Sequence, residues 1–307
     1  MNDFNVRETI TVPKFASALN LEVLYAGRGM MTLSTKNVTR PGLQLAGFLA
    51  CYDFSQIMVV GLTEYEFIRG FSPKERKSRI NKLFEYGEVP CIILTRDLPL
   101  LPEMIAAARK YSCPVFRTSK LSTNLINDLF IYLNEFLAPT TRMHGVLLDI
   151  FGVGILITGH SGVGKSETAM ELIKRGHRLA ADDSVMIRNV ANTLYGSSPE
   201  KIRYFMELRG IGIINVKNMY GSGSVMDEKK VELVVELENW NPDKDYDRLD
   251  GNSYTEEILG ITLPKLIIPV TPGRNLAIII EVAARNFRLK EMGYDAANEL
   301  IARTIGR

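Results

Sequence analysis

The sequence predicts a two-domain α/β protein. Short apolar strands alternate with helices through residues 1–138, which is typical of a mostly parallel sheet covered by helices. Residues 139–307 carry a phosphate-binding loop between a strand and a helix. The segment 138–142, with the sequence Ala-Pro-Thr-Thr-Arg, is interpreted as the linker between them. A length of 307 residues agrees with two domains.

The N-terminal domain shows three short apolar runs separated by helices. Ser72 and Glu75 form a capping box around Pro73, so a helix is expected from Pro73 to about Tyr86. Helices are also expected over 102–111 and 123–137, and strands at 57–60, 91–94 and 114–116. No catalytic constellation is recognised in this half of the sequence, and its function is left open.

The C-terminal domain contains the sequence Gly-His-Ser-Gly-Val-Gly-Lys-Ser, which matches G-x-x-x-x-G-K-[ST] at each fixed position. In this pattern the glycines let backbone N–H groups surround an anion, and the helix N-terminus behind the loop adds positive dipole. The lysine is expected to reach the β- and γ-phosphates, and the last serine to hold Mg²⁺. The predicted nucleotide-binding residues are Gly159, His160, Ser161, Gly162, Val163, Gly164, Lys165 and Ser166.

His144 is expected beside this loop. Two strands joined at Phe151-Gly152 predict an antiparallel hairpin, whose register sets His144 opposite Gly159. A structural histidine at the start of a strand is the other reading.

Asp182 and Asp183 follow the next predicted strand. Carboxylates at a strand end beside a phosphate loop can hold magnesium or accept a proton. The alternative is that the two residues only form a polar turn. Adjacent residues on an extended chain point in opposite directions, so the two acids are expected to differ in role. His177, by contrast, is interpreted as a helix-end residue.

Three further segments carry weaker signals. Glu207 and Arg209 stand beside two glycines and an apolar strand, which fits a ligand site or an ordinary strand with a salt bridge. Arg248 lies in a polar stretch, where it is a mobile phosphate partner or a solvated side chain. Residues 269–275 form a rigid loop that suits an anion or serves as a connector.

Composition limits the partners and the compartment. The net charge of +2 predicts no general attraction to nucleic acid, and the sequence shows neither a signal peptide nor an apolar run long enough to span a membrane. The three cysteines have no metal-binding spacing and are expected to be reduced. A cytoplasmic protein without nucleic-acid or membrane partners is expected.

The ordered set of motifs resembles the bifunctional HPr kinase/phosphorylase family. The resemblance covers the whole chain and rests on 143–145, the phosphate loop with Glu167 and Thr168, 175–183, 207–214, 246–249 and 272–275. It implies an N-terminal α/β domain and a C-terminal P-loop kinase domain resembling phosphoenolpyruvate carboxykinase, assembled as a homohexamer.

The resemblance also implies a reaction and residue roles. Such enzymes use ATP to phosphorylate a regulatory serine on HPr, a small phosphocarrier protein. They also remove this phosphoryl group by transferring it to inorganic phosphate, which forms pyrophosphate. The implied catalytic residues are His144, Lys165, Asp182 and Arg248, with Asp182 as base and acid. Ser166 and Glu207 are implied Mg²⁺ ligands. The resemblance implies that residues 206–215 are needed for both phosphorylation and dephosphorylation. It implies that residues 269–274 are tied to dephosphorylation.

Other classes of nucleotide-binding protein remain as alternatives. A small-molecule P-loop kinase is the main one. A GTP-driven switch would usually carry an Asn-Lys-x-Asp motif, which this sequence lacks. A nonenzymatic nucleotide sensor is disfavoured by the many ionisable residues around one loop.

Overall fold

The computed structural model describes residues 8–50, 52–85, 87–244 and 254–305. The chain divides into two compact units, Met1–Ala138 and Pro139–Arg307. Within the described residues, no helix is both long enough and apolar enough to cross a lipid bilayer.

The N-terminal unit alternates strands with helices. Its elements are β1 (Glu8–Thr11), α1 (Val12–Leu19), β2 (Glu22–Tyr25), β3 (Met30–Leu33), β4 (Val38–Thr39), α2 (Gly42–Ala46), β5 (Ile57–Val60), α3 (Leu62–Arg69), α4 (Pro73–Lys82), β6 (Ile92–Leu94), α5 (Pro102–Tyr111), β7 (Val115–Arg117) and α6 (Ser122–Phe136).

Five of these strands form one sheet in the order β2-β7-β6-β5-β4. The strands β4 to β7 are parallel and β2 is an antiparallel edge, so the expectation of a mostly parallel sheet is confirmed. Both faces are buried, one under α3, α4 and α5 and the other under α1 and α6. A buried two-sided sheet explains why its strands read as continuous apolar runs.

The predicted capping box is present at the start of α4. The amide of Glu75 donates to Ser72 Oγ at 3.4 Å, and the amide of Ser72 donates to the Glu75 carboxylate at 3.2 Å. The helix ends at Lys82, earlier than expected, and Tyr86 lies outside the described residues. Cys91 and Cys113 are free and buried, as expected of reduced core residues.

The C-terminal unit is richer in strands. Its elements are β8 (Thr140–His144), β9 (Val146–Ile150), β10 (Val153–Gly159), α7 (Lys165–Lys174), β11 (Arg178–Ala181), β12 (Ser184–Val190), β13 (Thr193–Ser197), β14 (Phe205–Leu208), β15 (Gly212–Asn215), α8 (Val216–Tyr220), β16 (Glu228–Lys230), β17 (Leu233–Asn239), β18 (Tyr254–Ile258), β19 (Ile261–Val270), α9 (Leu276–Glu291) and α10 (Ala296–Ile305). Residues 140–142, expected in a linker, belong to β8.

The main sheet has six strands in the order β11-β9-β10-β17-β19-β18. The strands β10, β17 and β19 are parallel, so their carboxyl ends share one edge. The helices α7 and α9 pack on one face of this sheet. A second sheet, β16-β13-β12-β8, packs through apolar side chains on the other face.

Candidate active site

The phosphate-binding loop connects the buried strand β10 to α7. Gly159, Gly162 and Gly164 have φ of +131°, +83° and +99°, a backbone region that favours glycine. A Cβ atom on Gly159 would also lie 2.2 Å from the carbonyl oxygen of Leu237 on β17. The loop conformation therefore depends on glycine at both fixed glycine positions of the motif, Gly159 and Gly164, and also at Gly162.

Lys165 begins α7 and its side chain turns back over the loop. Its ammonium group donates to the carbonyl oxygens of Gly159 and His160, at 2.8 and 3.0 Å. Burial lowers the pKa of Lys165, an effect that the carboxylates of Asp183 and Asp182 oppose. A partly desolvated ammonium at the loop is suited to bind phosphate.

Asp182 is the buried carboxylate of the site, with 5% of the residue exposed at the end of β11. Its Oδ1 accepts a hydrogen bond from Ser166 Oγ at 3.1 Å, and its Oδ2 accepts from the amide of Glu207 at 3.3 Å. Burial raises the pKa of Asp182 to about 6, although the Ser166 and Glu207 hydrogen bonds act in the opposite direction. This carboxyl group therefore changes charge at about pH 6.

Asp183 differs from its neighbour in exposure, as expected, but the chain is bent here and not extended as the prediction assumed. Its side chain is 73% exposed and its backbone has φ of +62°. Its carboxylate and carbonyl oxygens each lie 3.0 Å from Nδ1 of His144. Asp183 thus orients the imidazole of His144.

His144 lies at the cleft beside the loop, but it belongs to a different sheet from the one expected. The hairpin of β9 and β10 has the expected register, with Ile150 opposite Val153, yet its ladder ends at Val146. His144 belongs to β8 and pairs with Ser184 in the second sheet, so its predicted position opposite Gly159 was wrong.

The change of sheet occurs at Gly145. A Cβ atom there would lie 2.6 Å from the carbonyl oxygen of Ile157, so only glycine fits as the chain passes β10. The amide of Gly145 also donates to the carbonyl of Asp183 at 3.2 Å. This close passage brings His144 to the site.

A hairpin of β14 and β15 forms another wall of the site. Glu207 on β14 and Arg209 in the turn after it line a cleft of about 150 Å³. The other lining residues are His144, Val146, Ser161, Gly162, Gly164, Lys165, Ser166, Glu167, Asp182 and Asp183. The structure therefore brings together His144, Lys165, Asp182, Ser166 and Glu207.

The segment 269–275 lies at the end of β19. Since β10, β17 and β19 are parallel, this loop lies at the same edge of the sheet as the phosphate loop. Arg274 donates to the carbonyl oxygen of Pro269 at 3.3 Å, and Asn275 caps α9 by accepting from the amide of Ile278. Arg248, predicted to be catalytic, lies outside the described residues.

The oxygen donors of the cleft fit a hard cation. The Ser166 hydroxyl and the Asp182 and Glu207 carboxylates all line it, and Mg²⁺ prefers such ligands together with phosphate oxygens. Among the described residues, no group of three or more His, Cys, Asp or Glu side chains could hold a metal ion.

His177 lies away from the cleft, as expected. It is 5% exposed, its Nε2 lies 2.8 Å from the Glu281 carboxylate of α9, and it contacts the ring of Phe151 edge-on. It therefore helps to join the end of α7 to α9.

Sequence reasoning missed two features of the site. The role of Asp183 in orienting His144 depends on pairing between β8 and β12, which are distant in sequence. The position of Arg209 beside Gly162 depends on how the β14–β15 hairpin packs. The signal for this turn in the sequence was Gly210 and Gly212, which follow Arg209. In the structure they have φ of +81° and +95°.

A phosphate loop at the carboxyl edge of an α/β sheet, with a titrating carboxylate facing it, defines a P-loop phosphotransferase. Matches to models of protein families identify the class more closely. Residues 135–304 match the HPr Serine kinase C-terminal domain, and residues 10–133 match the HPr Serine kinase N terminus. The chain belongs to the HPr serine kinase family.

Two sequence relatives agree with the family assignment. An HPr kinase/phosphorylase of Caldanaerobacter subterraneus subsp. tengcongensis is 48% identical over 295 residues, which cover 95% of this chain and 96% of the relative. One from Geobacillus kaustophilus is 49% identical and covers 92% and 91%. A solved structure of the Hpr(Ser) kinase/phosphatase from Coxiella burnetii is 39% identical over 52% of this chain and 98% of that one, with a TM-score of 0.48.

Proposed function

We propose that the protein is a bifunctional protein-serine kinase/phosphorylase acting on HPr. In one direction it transfers the γ-phosphoryl group of ATP to a serine hydroxyl. In the other, inorganic phosphate removes that group as pyrophosphate. The observation that carries the proposal is the buried carboxyl of Asp182, which accepts a hydrogen bond from Ser166 of the phosphate loop.

Asp182 acts as the base in the forward direction. Its carboxylate accepts the proton of the substrate serine while the serine oxygen bonds to the γ-phosphorus and the bond from that phosphorus to the ADP oxygen breaks. A serine hydroxyl is a weak nucleophile until a carboxylate is positioned at its proton. A base whose pKa is about 6 is mostly ionised at neutral pH and still basic enough to accept that proton.

Fixed positive charge offsets the charge of the phosphates. The loop amides and the ammonium of Lys165 are the proposed partners of the phosphates, which is supported by the position of Lys165 in the cleft. Ser166 and Glu207 are the proposed Mg²⁺ ligands, and the bound ion would neutralise phosphate charge. His144, oriented by Asp183, is a further partner for phosphate or for a proton. The family resemblance supports adding Arg248 as a catalytic cation.

The reverse direction uses the same groups. An oxygen of inorganic phosphate attacks the phosphorus of phosphoserine, the bond between the serine oxygen and phosphorus breaks, and pyrophosphate forms. Protonated Asp182 gives its proton to the departing serine oxygen. Because one carboxyl group acts as base in one direction and acid in the other, no second acid is required.

We also propose a homohexamer in the cytoplasm. The resemblance supports the number of subunits, and the C-terminal helices supply apolar surface for self-association. Val282, Met292 and Leu300 are 60%, 75% and 57% exposed.

The assignment is tested by incubating the protein with Mg²⁺, labelled ATP and purified HPr, in parallel with small hydroxyl compounds. The proposal expects label on a serine of HPr and none on the small molecules. Label on a small molecule alone would instead support a small-molecule P-loop kinase. A control with the serine of HPr changed to alanine is expected to stay unlabelled.

A further inference from the structure

The N-terminal unit contains a cavity of about 840 Å³ at the amino edge of its sheet. The parallel strands β5, β6 and β7 begin at this edge, and the loops that precede them form much of the wall. The strand β3 and Arg28 in the turn before it also line the cavity. Sites for small molecules typically have volumes of about 300–1,000 Å³. The cavity is therefore large enough for a small-molecule ligand.

Close packing holds the wall of the cavity in one shape. A Cβ atom on Gly87 would lie 2.6 Å from Cβ of Phe54, so the loops before β5 and β6 touch at this glycine. Tyr52 and Phe54 meet edge to face, with ring centroids 4.4 Å apart. The rings of Phe84 and Tyr111 stack 5.0 Å apart, with 8° between their planes. The wall is therefore preformed and carries four aromatic rings.

Among the described residues, two cations of the wall have no carboxylate partner. The guanidinium of Arg28 makes no hydrogen bond or ion pair in this part of the chain, and the ammonium of Lys110 donates only to the Tyr111 hydroxyl, at 3.0 Å. The lining carboxylate of Asp53 instead accepts from the amide and hydroxyl of Ser55, at 2.9 and 2.6 Å. Arg28 and Lys110 are therefore suited to bind an anion, and a guanidinium holds two phosphate oxygens at once.

Polar groups that suit a sugar also line the cavity. The hydroxyl of Tyr52 is buried and has no hydrogen-bond partner in the part of the chain that the structure describes. Such groups are rare in folded proteins, and a bound ligand would supply the partner. Glu88 adds an exposed carboxylate, the group that accepts from ribose hydroxyls in dinucleotide sites. The lining thus combines aromatic rings, polar oxygens and two cations.

We propose that this cavity binds a nucleoside phosphate. Arg28 and Lys110 bind the phosphate, the aromatic wall packs against the base, and Glu88 and Tyr52 bind the ribose. An inorganic anion would use the cations alone, and an apolar ligand would desolvate them without a partner. The residues that line the cavity belong to the unit Met1–Ala138, whereas the phosphate loop belongs to the other unit. The chain thus has a second nucleotide-binding site, and this inference does not rest on the proposed function.

The test measures binding of AMP, GMP, CMP and UMP to the full-length protein by isothermal titration calorimetry. These nucleotides lack the β- and γ-phosphates that the phosphate loop and Lys165 are expected to hold. Arg28→Ala should weaken the binding about tenfold or more, the loss expected for a charge-assisted hydrogen bond, and Tyr52→Phe about two- to tenfold. Lys14→Ala, which removes an exposed cation of α1 outside the cavity, should leave the Kd within about twofold.

Two results of the titration would overturn the inference. One is an unchanged Kd in Arg28→Ala. The other is the absence of binding by all four nucleotides at about 1 mM, the weak end of specific affinities.

Photolabelling locates the bound nucleotide. An azido derivative of the most tightly bound of the four is crosslinked to wild type and to Lys165→Ala, and the labelled peptides are identified by mass spectrometry. The inference expects label on residues 28–34, 52–55 or 110–114 in both proteins. Label confined to residues 159–166, or lost in Lys165→Ala, would overturn it, because the nucleotide would then lie only at the phosphate loop.

Competition separates a nucleoside phosphate from simpler anions. The free nucleoside and inorganic phosphate should each bind at least about tenfold more weakly than the nucleotide, since each lacks contacts that the other makes. Equal affinity for inorganic phosphate, or tighter binding of glucose 6-phosphate than of any nucleotide, would reject the inference. Neither result bears on the proposed function, which is judged by label on HPr.

Discussion

The hydroxyl of Ser166 donates a 3.1 Å hydrogen bond to Oδ1 of Asp182. This contact joins the last residue of the phosphate-binding loop to the carboxylate at the end of β11. The expected Mg²⁺ ligand and the expected base are thus direct neighbours. Because the Ser166 hydroxyl donates to the ionised carboxylate, it lowers the pKa of Asp182.

Replacement of Asp182 by asparagine removes the base and keeps the shape. We expect Asp182→Asn to lower phosphorylation and phosphorolysis together, each by about 10³-fold or more, since general acid–base catalysis contributes about 10²–10⁴-fold. The Kd for ATP should change little. Asp97→Asn, at an exposed residue of the N-terminal unit, is the matched control and should retain most of the activity. Loss of one direction only would contradict a shared carboxyl group.

The two directions should have opposite pH dependence. Phosphorylation needs ionised Asp182, so its kcat/KM should fall as pH decreases through about 6, the pKa that burial gives this group. Phosphorolysis needs the protonated form and should fall as pH rises through the same value. Initial rates between pH 5 and 8.5 test this. Parallel profiles in the two directions would contradict it.

The pKa of Asp182 should depend on Ser166. Since the Ser166 hydrogen bond lowers this pKa, Ser166→Ala should move it above about 6. Ser166→Thr keeps a hydroxyl group and should leave it nearly unchanged. Carboxyl ¹³C NMR titration of the Mg²⁺-free protein measures the shift without reference to activity. A lower pKa in Ser166→Ala would contradict the contact.

The same raised pKa makes a stability prediction. A carboxyl group whose folded-state pKa lies above its unfolded value of 3.8 destabilises the fold when ionised, fully above about pH 6 and not below about pH 4. Asp182→Asn should therefore raise the free energy of unfolding by about 1–2 kcal/mol at pH 8. Part of the gain is lost because asparagine has one acceptor oxygen, whereas the carboxylate accepts from both Ser166 and Glu207. Urea unfolding at pH 8 and pH 4 measures the difference, which should disappear at the lower pH.

Gly145 should tolerate no side chain. A Cβ atom there would meet the backbone carbonyl of Ile157 at 2.6 Å, and a backbone atom cannot rotate away. We expect Gly145→Ala to lower the free energy of unfolding by about 2–4 kcal/mol and to displace His144. At Gly223 a Cβ atom would meet nothing within 4 Å, so Gly223→Ala should be close to neutral. Equal stability of the two variants would contradict the close passage at Gly145.

The phosphate loop, its strand and its helix were predictable because their signals are local. A glycine pattern and an apolar run determine β10, the loop and α7 with no information from distant residues. In the N-terminal unit, β5, β6 and β7 were recognisable as buried apolar runs. The strands β2 and β4 were missed because they are partly exposed and lack that pattern.

The pairing that positions His144 could not be predicted from local sequence patterns. Extending the hairpin register located the residue at the right site, but the chain changes sheet at Gly145 and pairs with β12. That pairing joins residues about forty positions apart, and neither strand has a pattern that specifies its partner. The contact of Arg209 with Gly162 is nonlocal in the same way.

In the proposed mechanism, one carboxyl group serves reversible phosphotransfer on a protein serine. Both reactions should therefore be followed for wild type and Asp182→Asn: labelled phosphate from ATP to HPr, and pyrophosphate from phosphoserine-HPr and inorganic phosphate. We expect both products from the wild type and neither at a comparable rate from the variant, with ATP still bound. Pyrophosphate formation at the wild-type rate by Asp182→Asn would contradict this mechanism.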